Sequence, residues 1–439
     1  MVVPLLRTSD PAWQRHWQKL LVRGETASAQ VEAMVKTILQ KVKQEGDRAL
    51  FAYTRQFDRT PVTAATCRVT PAAMEAALVA LPRHERAALH TAATRIAAFH
   101  RKQRQRSWSY RDPLGVTLGQ LITPLERVGV YIPGGKAAYP SSVLMNVIPA
   151  KVAGVKEVIA VSPPSPQGDH PAILAAARLA GVDQFFRIGG AQAIAALAYG
   201  TQTVPRVDKI VGPGNIYVAT AKRLVFGQVD IDMIAGPSEV LVIADDSASP
   251  AYVAADMLSQ AEHDELAAPL CLTSSARLAR AVVQALTAQL ASLKRRAIAA
   301  ASLKQYGAVI HARDRSEIVA LANALAPEHL ELAVKDPQAW LKDIRHAGAI
   351  FLGHLSTEPF GDYIAGPNHI LPTGGTARFS SPLGVYDFLK RTSIIQASSQ
   401  ALAKLGPAVI HLAEMEGLEA HARAVHYRLQ GGSHGNTRA

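Results

Sequence analysis

Hydrophobic residues recur at helical spacing through the first hundred residues of the chain. In the stretch 27–58, one apolar stripe consists of Val31, Met34, Val35, Ile38, Leu39 and Val42. Spacing of three and four residues is typical of an amphipathic helix. The stretch from Thr70 to about Arg104 repeats this spacing, and Thr70-Pro71 supplies an N-cap followed by proline at the first helical position. Both stretches therefore predict core-forming helices, to which we assign no chemistry.

Beyond about Leu125 the pattern changes to short apolar runs separated by helical stretches. The runs predicted as strands are 128–132, 157–161, 184–188, 209–211, 239–244, 269–273, 308–311 and 349–352. The helical segments between them include 171–180, 191–198, 250–261, 276–293 and 315–325. Such alternation builds parallel sheets from βαβ units. The sequence therefore predicts two successive α/β units, with a boundary near Gly236-Pro237.

Composition narrows the class of protein. With 439 residues, of which 49% are hydrophobic and 19% charged, the chain resembles a multidomain globular enzyme. Its start lacks the features of a signal peptide, and no apolar run approaches the roughly 18 residues of a membrane span. Only Cys67 and Cys271 are present, outside any CxxC motif, which excludes a disulfide scaffold and fits a reducing compartment. We expect a cytoplasmic protein with no membrane partner.

The net charge of +12 leaves nucleic-acid binding open as an alternative. Basic residues are scattered, apart from RKQRQR at 101–106, which is followed by Trp108 and Tyr110. We interpret that run as a solvated helix end because no nucleic-acid motif accompanies it, and we expect no nucleic-acid partner. A positive surface would also attract anionic dinucleotides.

Two segments combine an imidazole with a second polar group at close spacing. Gln260 and His263 are three apart at the end of a predicted helix, so both side chains leave the same face and could ligate zinc. Taken alone, the pair is better explained as a capped helix end with a solvent-facing His. Glu328 and His329 follow Pro327 directly, and an adjacent carboxylate and imidazole suit acid–base chemistry. A surface ion pair is the alternative there.

Two further segments carry the same residue types at wider spacing. Asp362 and His369 belong to a stretch punctuated by glycine and proline, which predicts a loop. They could reach one site or could cap turns. Glu416 and His421 are five apart and share a helical face only if Gly417 breaks the first turn. A solvated helix is the alternative for this last pair.

Glycine-rich turns follow three predicted strands. VGPGN at 211–215 lies between a strand and a helix and partly imitates a dinucleotide loop, but Tyr217 stands where the third glycine of GxGxxG would be. Gly134-Gly135 and Gly189-Gly190 are glycine pairs at other strand ends. An ordinary Rossmann loop is not predicted, although strand-end loops are where α/β proteins bind ligands.

Taken in order, many segments resemble the histidinol dehydrogenase family from about residue 20 to residue 430. They are VGVYIPGG at 128, GGAQAIAALAYGT at 189, VDKIVGPGN at 207, IAGPSEVLVIAD at 234, LSQAEHD at 258, APEHLEL at 326, GDYIAGPNHILPTGGTARFSSPLGV at 361, FLKRTS at 388 and LEAHARAV at 418. Departures in loops are Ile364, Pro367 and Pro382. The resemblance implies zinc-dependent oxidation of L-histidinol to L-histidine with reduction of two NAD, the last step of histidine biosynthesis. A dehydrogenase of another polar alcohol, or a binding protein without chemistry, remains an alternative.

Carried over position by position, the resemblance also implies roles for individual residues. The implied zinc ligands are Gln260, His263, Asp362 and His421, and the implied catalytic pair is Glu328 and His329. The implied substrate contacts are Ser238, Gln260, His263, His329, Asp362, His369, Glu416 and His421. The implied NAD contacts are Tyr131, Gln192 and Asn215. Neither cysteine falls in a matching segment, so we expect noncovalent hydration of the aldehyde rather than a thiol adduct.

The fold implied by the resemblance is α/β, with two related, incomplete Rossmann-like domains of the aldehyde-dehydrogenase kind and small helical accessory regions. We expect a helical region at 1–125, an NAD-contacting domain at 126–236 and a second α/β domain with the zinc and catalytic residues at 237–380. A C-terminal helical region at 381–430 and a disordered tail at 431–439 would complete the chain. In the family the C-terminal region crosses to the neighbouring subunit, which implies a homodimer with shared sites.

Overall fold

A computed structural model describes residues 2–22, 29–134 and 139–431. In this part of the chain the helices are α1 Pro11–Leu21, α2 Ala29–Glu45, α3 Asp47–Asp58, α4 Pro71–Ala80, α5 Arg83–Arg101, α6 Pro140–Ala153, α7 Pro171–Ala180, α8 Gly190–Tyr199, α9 Ile216–Val225, α10 Pro250–Ala261, α11 Ala276–Leu290, α12 Arg296–Gln305, α13 Arg315–Leu325, α14 Pro337–Leu341, α15 Glu358–Phe360, α16 Ser399–Met415 and α17 Glu419–Gly431. None of them is both long enough and apolar enough to cross a bilayer.

The strands over the same residues are β1 Leu5–Arg7, β2 Arg68–Val69, β3 Trp108–Arg111, β4 Thr117–Pro124, β5 Arg127–Tyr131, β6 Glu157–Ser162, β7 Gln184–Arg187, β8 Lys209–Val211, β9 Asp230–Ile231, β10 Glu239–Ala244, β11 Ala268–Thr273, β12 Ala308–His311, β13 His329–Ala333, β14 Ala349–Leu352 and β15 Leu389–Gln396. The chain divides into two compact units. The first unit comprises residues 1–103 and 125–388, and the second comprises 104–124 and 389–439.

The first sheet of the first unit has the strand order β2-β7-β6-β5-β8-β9. Its strands are parallel except for β2, which pairs antiparallel with β7. The chain runs outward from β5 through β6 to β7 and then returns to the other side of β5 as β8. Such a reversal opens a crevice beyond the carboxyl ends of the two central strands. Tyr131 and Gly212 lie at those ends.

The second sheet has the order β1-β12-β11-β10-β13-β14 and is parallel throughout. Every residue of β10, β11 and β13 is buried. Sheets with both faces covered by helices have such continuously apolar strands. One apolar cluster includes Val240 and Met257, and another includes Leu241 and Leu330. Helix α10 leaves the carboxyl end of β10 and returns to the amino end of β11, so its last turn lies at the amino edge of the sheet.

The second unit contains a three-stranded antiparallel sheet in the order β15-β4-β3 and the helices α16 and α17. Trp108 and Tyr110 of β3 stack with ring centroids 6.3 Å apart. The two helices pack together across Gly406, where a Cβ atom would lie 3.0 Å from Cδ1 of Leu429. Gly417, with φ of +72°, separates α16 from α17.

Several sequence predictions of elements are confirmed, and others need correction. The predicted strands of both α/β series are present, and Thr70 caps α4 by accepting a hydrogen bond from the Ala73 N–H. The helical stretch 27–58 is broken at Gly46, whose φ is +57°. The stretch after Thr70 breaks at Leu81-Pro82, because the residue before proline is driven out of the helical region.

The prediction of a loop over 361–369 is wrong at its start. Gly361–Ala365 forms a π-helical turn that continues α15, and only the residues after Gly366 are irregular. Glycine and proline punctuation did not reveal this turn, since π-turns occur as short segments set by tertiary contacts. Arg95 stabilises it by donating to the carbonyl of Ile364 at 2.7 Å.

The terminal regions also differ from an all-helical description. The predicted helical region 1–125 contains β1 to β4, and the predicted helical region 381–430 contains β15. Strands β1, β2, β3 and β15 lie at sheet edges, and β4 lies between β3 and β15 without the alternation of polar and apolar residues that would predict a strand. Gly431 belongs to α17, while the rest of the tail predicted to be disordered lies outside the described residues.

Candidate active site

Glu328 and His329 lie at the amino end of β13, deep in the first unit. Helix α13 ends at Leu325, its C-cap Ala326 has a φ of +49° that turns the chain sharply, and Pro327 and Glu328 then lead into the strand. The neighbouring strand β10 begins at Glu239, and both Glu328 and His329 hydrogen bond to its backbone. The pair is therefore fixed by the sheet itself. The pair lies at the amino ends of the strands of the second sheet. In the first sheet, by contrast, the crevice lies at the carboxyl ends of the strands.

A single hydrogen bond sets the orientation and tautomer of the His329 ring. Its Nδ1 atom lies 2.9 Å from the carbonyl oxygen of Glu239. Because a carbonyl can only accept, Nδ1 carries the proton and Nε2 is the atom free to take up another. Nε2 lies 3.4 Å from Oδ1 of Asp362. The ring therefore presents a proton-accepting nitrogen to a carboxylate-lined space.

The Glu328 carboxyl accepts a hydrogen bond from the Glu239 N–H at 2.9 Å and lies 3.8 Å from His329 Nδ1. Burial raises its pKa to about 8. Burial alone would lower the pKa of His329, but Glu358, Glu328 and Asp362 together raise it well above its usual value. The Glu328 carboxyl can therefore change its protonation near physiological pH, and the surrounding carboxyl groups stabilise the imidazolium form of His329.

Asp362 lies where several imidazoles converge. Burial acts to raise its pKa, but the neighbouring His329, together with His369 and His263, holds it below its usual range. Its backbone carbonyl accepts a hydrogen bond from His369 Nδ1 at 2.9 Å. His369 Nε2 lies 3.3 Å from the hydroxyl of Ser142, on α6. The π-helical turn thus brings Asp362 and His369 to the same place as His329.

The end of α10 contributes Gln260 and His263. Gln260 is fully buried, and its Nε2 lies 2.9 Å from His263 Nδ1, so the two side chains do share one face. Burial lowers the pKa of His263 despite the charge of Asp362, which favours a neutral imidazole. Gln260 Oε1 is buried and has no hydrogen-bond partner among the described residues. A buried oxygen without a donor is a suitable ligand atom for a cation.

These residues could hold a metal ion in two ways. Gln260, His263 and Asp362 offer an amide oxygen, an imidazole nitrogen and a carboxylate oxygen, a donor set that fits zinc. Geometry alone also groups His329, Glu358 and Asp362, whose ligand atoms lie within 4.8 Å of one another. Asp362 belongs to both sets. In the second set a cation would be bound by Nε2 of His329, the nitrogen that is otherwise free to accept a proton.

Glu358 is a member of the site that the sequence does not reveal. Its side chain is 1% exposed, and burial raises its pKa to about 7. Its backbone N–H donates to Glu331 Oε1 at 2.6 Å, while Asp256 of α10 accepts a hydrogen bond from the neighbouring Thr357 hydroxyl at 2.7 Å. Thr357-Glu358-Pro359 has only the signal of an ordinary helix start. Tertiary packing against α10 and β13 makes it part of the site.

Ser238, Glu416 and His421 are not joined to this group by any described contact. Ser238 is partly buried just before β10, and its carbonyl accepts from the Ala268 N–H at 3.0 Å. Glu416 and His421 belong to the second unit, on either side of the break at Gly417, and both are exposed. The break that their spacing requires is therefore present. Their assignment to the site stays a prediction.

A separate cavity of about 1030 Å³ lies beyond the carboxyl ends of β5 and β6. This volume is at the upper end of the roughly 300–1,000 Å³ typical of small-molecule sites. All three residues expected to contact NAD line it, namely Tyr131, Gln192 and Asn215. The Tyr131 hydroxyl accepts from the Gly190 N–H at 3.1 Å, and Asn215 caps α9 by accepting from the N–H groups of Tyr217 and Val218.

Comparison with known proteins places these features in one family. The family profile described as histidinol dehydrogenase matches residues 21–429. The chain is 61% identical over 412 residues to the histidinol dehydrogenase of Syntrophotalea carbinolica, covering 94% of this chain and 95% of the relative. A crystal structure of histidinol dehydrogenase from Elizabethkingia anophelis matches with a TM-score of 0.92 at 36% identity over 99% of both chains. A betaine aldehyde dehydrogenase from Staphylococcus aureus, at 11% identity and TM-score 0.50 over 88% of this chain and 86% of the other, shares the fold alone.

Two α/β sheets, one with a buried acid–base pair and the other with a ligand-sized cavity, together with these matches, define an α/β oxidoreductase. The predicted fold class, with domains of the aldehyde-dehydrogenase kind, is confirmed. The chain belongs to the histidinol dehydrogenase family.

Proposed function

We propose that this enzyme oxidises L-histidinol to L-histidine through the aldehyde, with two hydrides transferred to NAD and one zinc ion in the site, as the last step of histidine biosynthesis. The match to one family across residues 21–429 is the observation that carries the proposal. The buried Glu328–His329 pair beside Asp362 supports it, because oxidation of an alcohol to an acid needs a base at each hydride removal and an activated water between them.

Zinc would be held by Gln260, His263 and Asp362, with His421 contributed by the partner subunit. The buried, partnerless oxygen of Gln260 supports this set. It also leaves His329 Nε2 free, which the alternative grouping of His329, Glu358 and Asp362 would not. When bound, zinc supplies a fixed positive charge that orients the imidazole and amino nitrogens of the substrate.

His329 acts as the base for the alcohol. Its Nδ1 proton is committed to the Glu239 carbonyl, so Nε2 removes the hydroxyl proton while hydride leaves the adjacent carbon. The product is the aldehyde, and the proton stays on the imidazolium, stabilised by the surrounding carboxylates. During hydration of the aldehyde the imidazolium returns this proton to the aldehyde oxygen, and the neutral Nε2 atom then serves as base for the second oxidation.

Glu328 acts between the two oxidations. Its carboxylate takes a proton from water as the oxygen adds to the aldehyde carbon, and the resulting hydrate is then oxidised to the acid with His329 again as base. The pKa of about 8 makes this carboxylate a stronger base than an exposed glutamate. Water addition is favoured over a thiol adduct because Cys67 and Cys271 are both buried.

The cavity on the first sheet is the proposed site for NAD, with Tyr131, Gln192 and Asn215 in its wall. Ser238, His369 and Glu416 are proposed to contact the substrate beside the zinc ligands. The family resemblance implies that the C-terminal region crosses to the neighbouring subunit, so we propose a homodimer in which Glu416 and His421 complete the partner's site. Two free, buried thiols support a cytoplasmic location.

One assay tests the function directly. Purified, zinc-loaded protein is mixed with L-histidinol and excess NAD, and NADH absorbance is compared with histidine counted by chromatography. Two NADH per histidine, lost on chelation and restored by zinc, is the expected result. One NADH per substrate with the aldehyde as product would refute the second oxidation. Turnover of a different polar alcohol, with histidinol inert, would favour the alternative substrate.

A further inference from the structure

The cavity on the first sheet contains one acidic group that the proposed function has not used. Asp58 is the last residue of α3, and its carboxylate faces the cavity. Gln192 Nε2 lies 3.5 Å from Asp58 Oδ2, and this is the carboxylate's one hydrogen bond within the described residues. No described lysine or arginine forms an ion pair with it. By contrast, Asp169, which also lines the cavity, is paired with Arg187 at 2.7 Å.

A carboxylate in a dinucleotide site discriminates strongly between the parts of the ligand. It repels phosphate groups and accepts hydrogen bonds from hydroxyl or amino groups. The adenosine half of NAD carries both kinds of donor, namely the ribose hydroxyls and the adenine amino group. NADP differs from NAD by a phosphate in place of one ribose hydroxyl. Asp58 therefore bears on which of the two cofactors can bind.

The surroundings of Asp58 favour the ribose over the adenine amino group. On one side the cavity wall is apolar, formed by Met34, Ile38 and Phe57. Phe57 directly precedes Asp58. Met34 and Phe57 are partly solvent-exposed, so their apolar surfaces are available to pack against the adenine ring of a ligand. On the other side lies the amide of Gln192, whose Oε1 is buried with no partner among the described residues. Asp58 thus marks the border between an apolar surface and a polar one, where the sugar of an adenosine would lie.

We propose that Asp58 binds the adenosine ribose hydroxyls of NAD and excludes NADP, and is thus a determinant of cofactor specificity. This inference rests on the proposed function in that it takes the cavity to be the NAD site. Burial raises the pKa of the Asp58 carboxyl to about 6. The group is therefore still ionised at pH 8, where repulsion of a phosphate is strongest. In dinucleotide-binding folds a carboxylate commonly has this role.

The test compares cofactors in binding and in turnover. Affinities for NAD, NADP and hypoxanthine-containing NAD, which lacks the adenine amino group, are measured by titration calorimetry at pH 8. The wild-type enzyme, Asp58→Asn and Asp58→Ser are used, with Glu75→Gln as the matched control. Glu75 is a half-exposed carboxylate on α4, paired with Arg178 outside the cavity. Rates with histidinol and each cofactor are recorded alongside, and thermal melting shows that each variant is folded.

For Asp58→Asn we expect the NADP-to-NAD preference to rise by roughly 10- to 100-fold, the range that loss of one charged interaction gives. Asp58→Ser should give the same direction, with weaker NAD binding, while Glu75→Gln should match wild type. Unchanged preference in both Asp58 variants would overturn the inference. So would a selective loss of NAD over its hypoxanthine analogue, which would place Asp58 at the adenine amino group.

These outcomes separate the inference from the function on which it rests. If histidinol gives no NADH but calorimetry shows the expected change in preference, the substrate assignment fails and the role of Asp58 stands. If histidinol is oxidised with NAD and the Asp58 variants keep the wild-type preference, the function stands and the inference fails. If wild-type protein binds neither dinucleotide, both are refuted.

Discussion

At His329 a backbone carbonyl decides which ring nitrogen can accept a proton. The Glu239 carbonyl accepts from Nδ1–H, and the buried Glu328 and Glu358 and the partly buried Asp362 surround the ring with carboxyl groups. Adjacent acid and imidazole in the sequence suggested acid–base chemistry, and the structure confirms that the pair is buried rather than a surface ion pair. Neither the tautomer nor Glu358 could be predicted, because both depend on contacts between residues roughly 30 to 90 positions apart.

The first prediction separates the two oxidations. Glu328→Gln removes the water-activating base but keeps the shape, so histidinal oxidation should fall by about 100-fold, within the range of one general base, and histidinol oxidation by much less. His329→Asn should depress both steps. Single-turnover NADH formation from histidinol and from histidinal measures each step. If Glu328→Gln slowed both oxidations equally, the proposed role of Glu328 in water addition would be wrong.

The second prediction concerns the thiols. Burial raises the pKa of Cys271 to about 12 and also raises that of Cys67. At pH 8 both groups therefore remain protonated, and alkylation requires the thiolate. Iodoacetamide at pH 8 should leave NADH formation unchanged over an hour, whereas both cysteines should be labelled after denaturation, as mass spectrometry would show. Inactivation in step with labelling of either cysteine would reinstate a covalent route.

Among the elements, the turn between β8 and α9 shows how one helix fixes a loop that lines the cavity. Lys222 of α9 donates to the Gly212 carbonyl at 2.9 Å and forms an ion pair with Asp232, whose other oxygen accepts from the Gly212 N–H at 2.8 Å. Both charged side chains are at most 3% exposed. Lys222 and Asp232 thus fix the backbone of the loop that places Asn215 in the cavity wall.

Breaking that buried pair gives the third prediction. Lys222→Met leaves Asp232 buried without a counter-charge, which should lower the free energy of unfolding by about 3–5 kcal/mol. Denaturant unfolding measures the change, and the KM for NAD should rise as the loop loosens. Arg277→Met breaks the exposed pair with Asp246 and is the control, with an expected loss below about 1 kcal/mol. Equal losses of unfolding free energy in the two variants would show that the buried Lys222–Asp232 pair stabilises the fold no more than an exposed pair does.

Element prediction succeeded where apolar runs were long and buried on both faces, as in β10 and β11. It failed where a single backbone conformation or a distant partner decides the outcome. Gly46 ends one helix through its positive φ, and Arg95 supports a π-helical turn from 269 residues away. The strand β15 owes its existence to pairing with β4. Such features depend on contacts that have no local sequence signal.

For the whole molecule, the division into two compact units raises the question of shared sites. Of the proposed zinc ligands, Gln260, His263 and Asp362 belong to the first unit and His421 belongs to the second. The family resemblance, rather than any spacing, linked His421 to the others. The proposed dimer therefore has its most direct test in whether two defective chains can restore one working site.

The fourth prediction is complementation between variants. His421→Asn and His329→Asn homodimers should each be nearly inactive, and His421→Asn should also lose zinc on dialysis. Heterodimers obtained by co-expression with two affinity tags should regain up to half the wild-type activity per dimer, since one of the two sites contains only native residues. Zinc and NADH are measured on the doubly purified species. Persistent inactivity of folded heterodimers would indicate that each chain supplies its own His421.

The edge strand β1 has a consequence for the order of events during synthesis. Leu5 pairs with Val309, roughly 300 residues later in the chain. At about 5–20 residues per second, the ribosome needs roughly 15–60 s to make that partner. The first sheet, whose strands all lie between Arg68 and Ile231, can assemble within this interval. Strand β1 must therefore wait unpaired, and the second sheet is completed only after β12 has been translated.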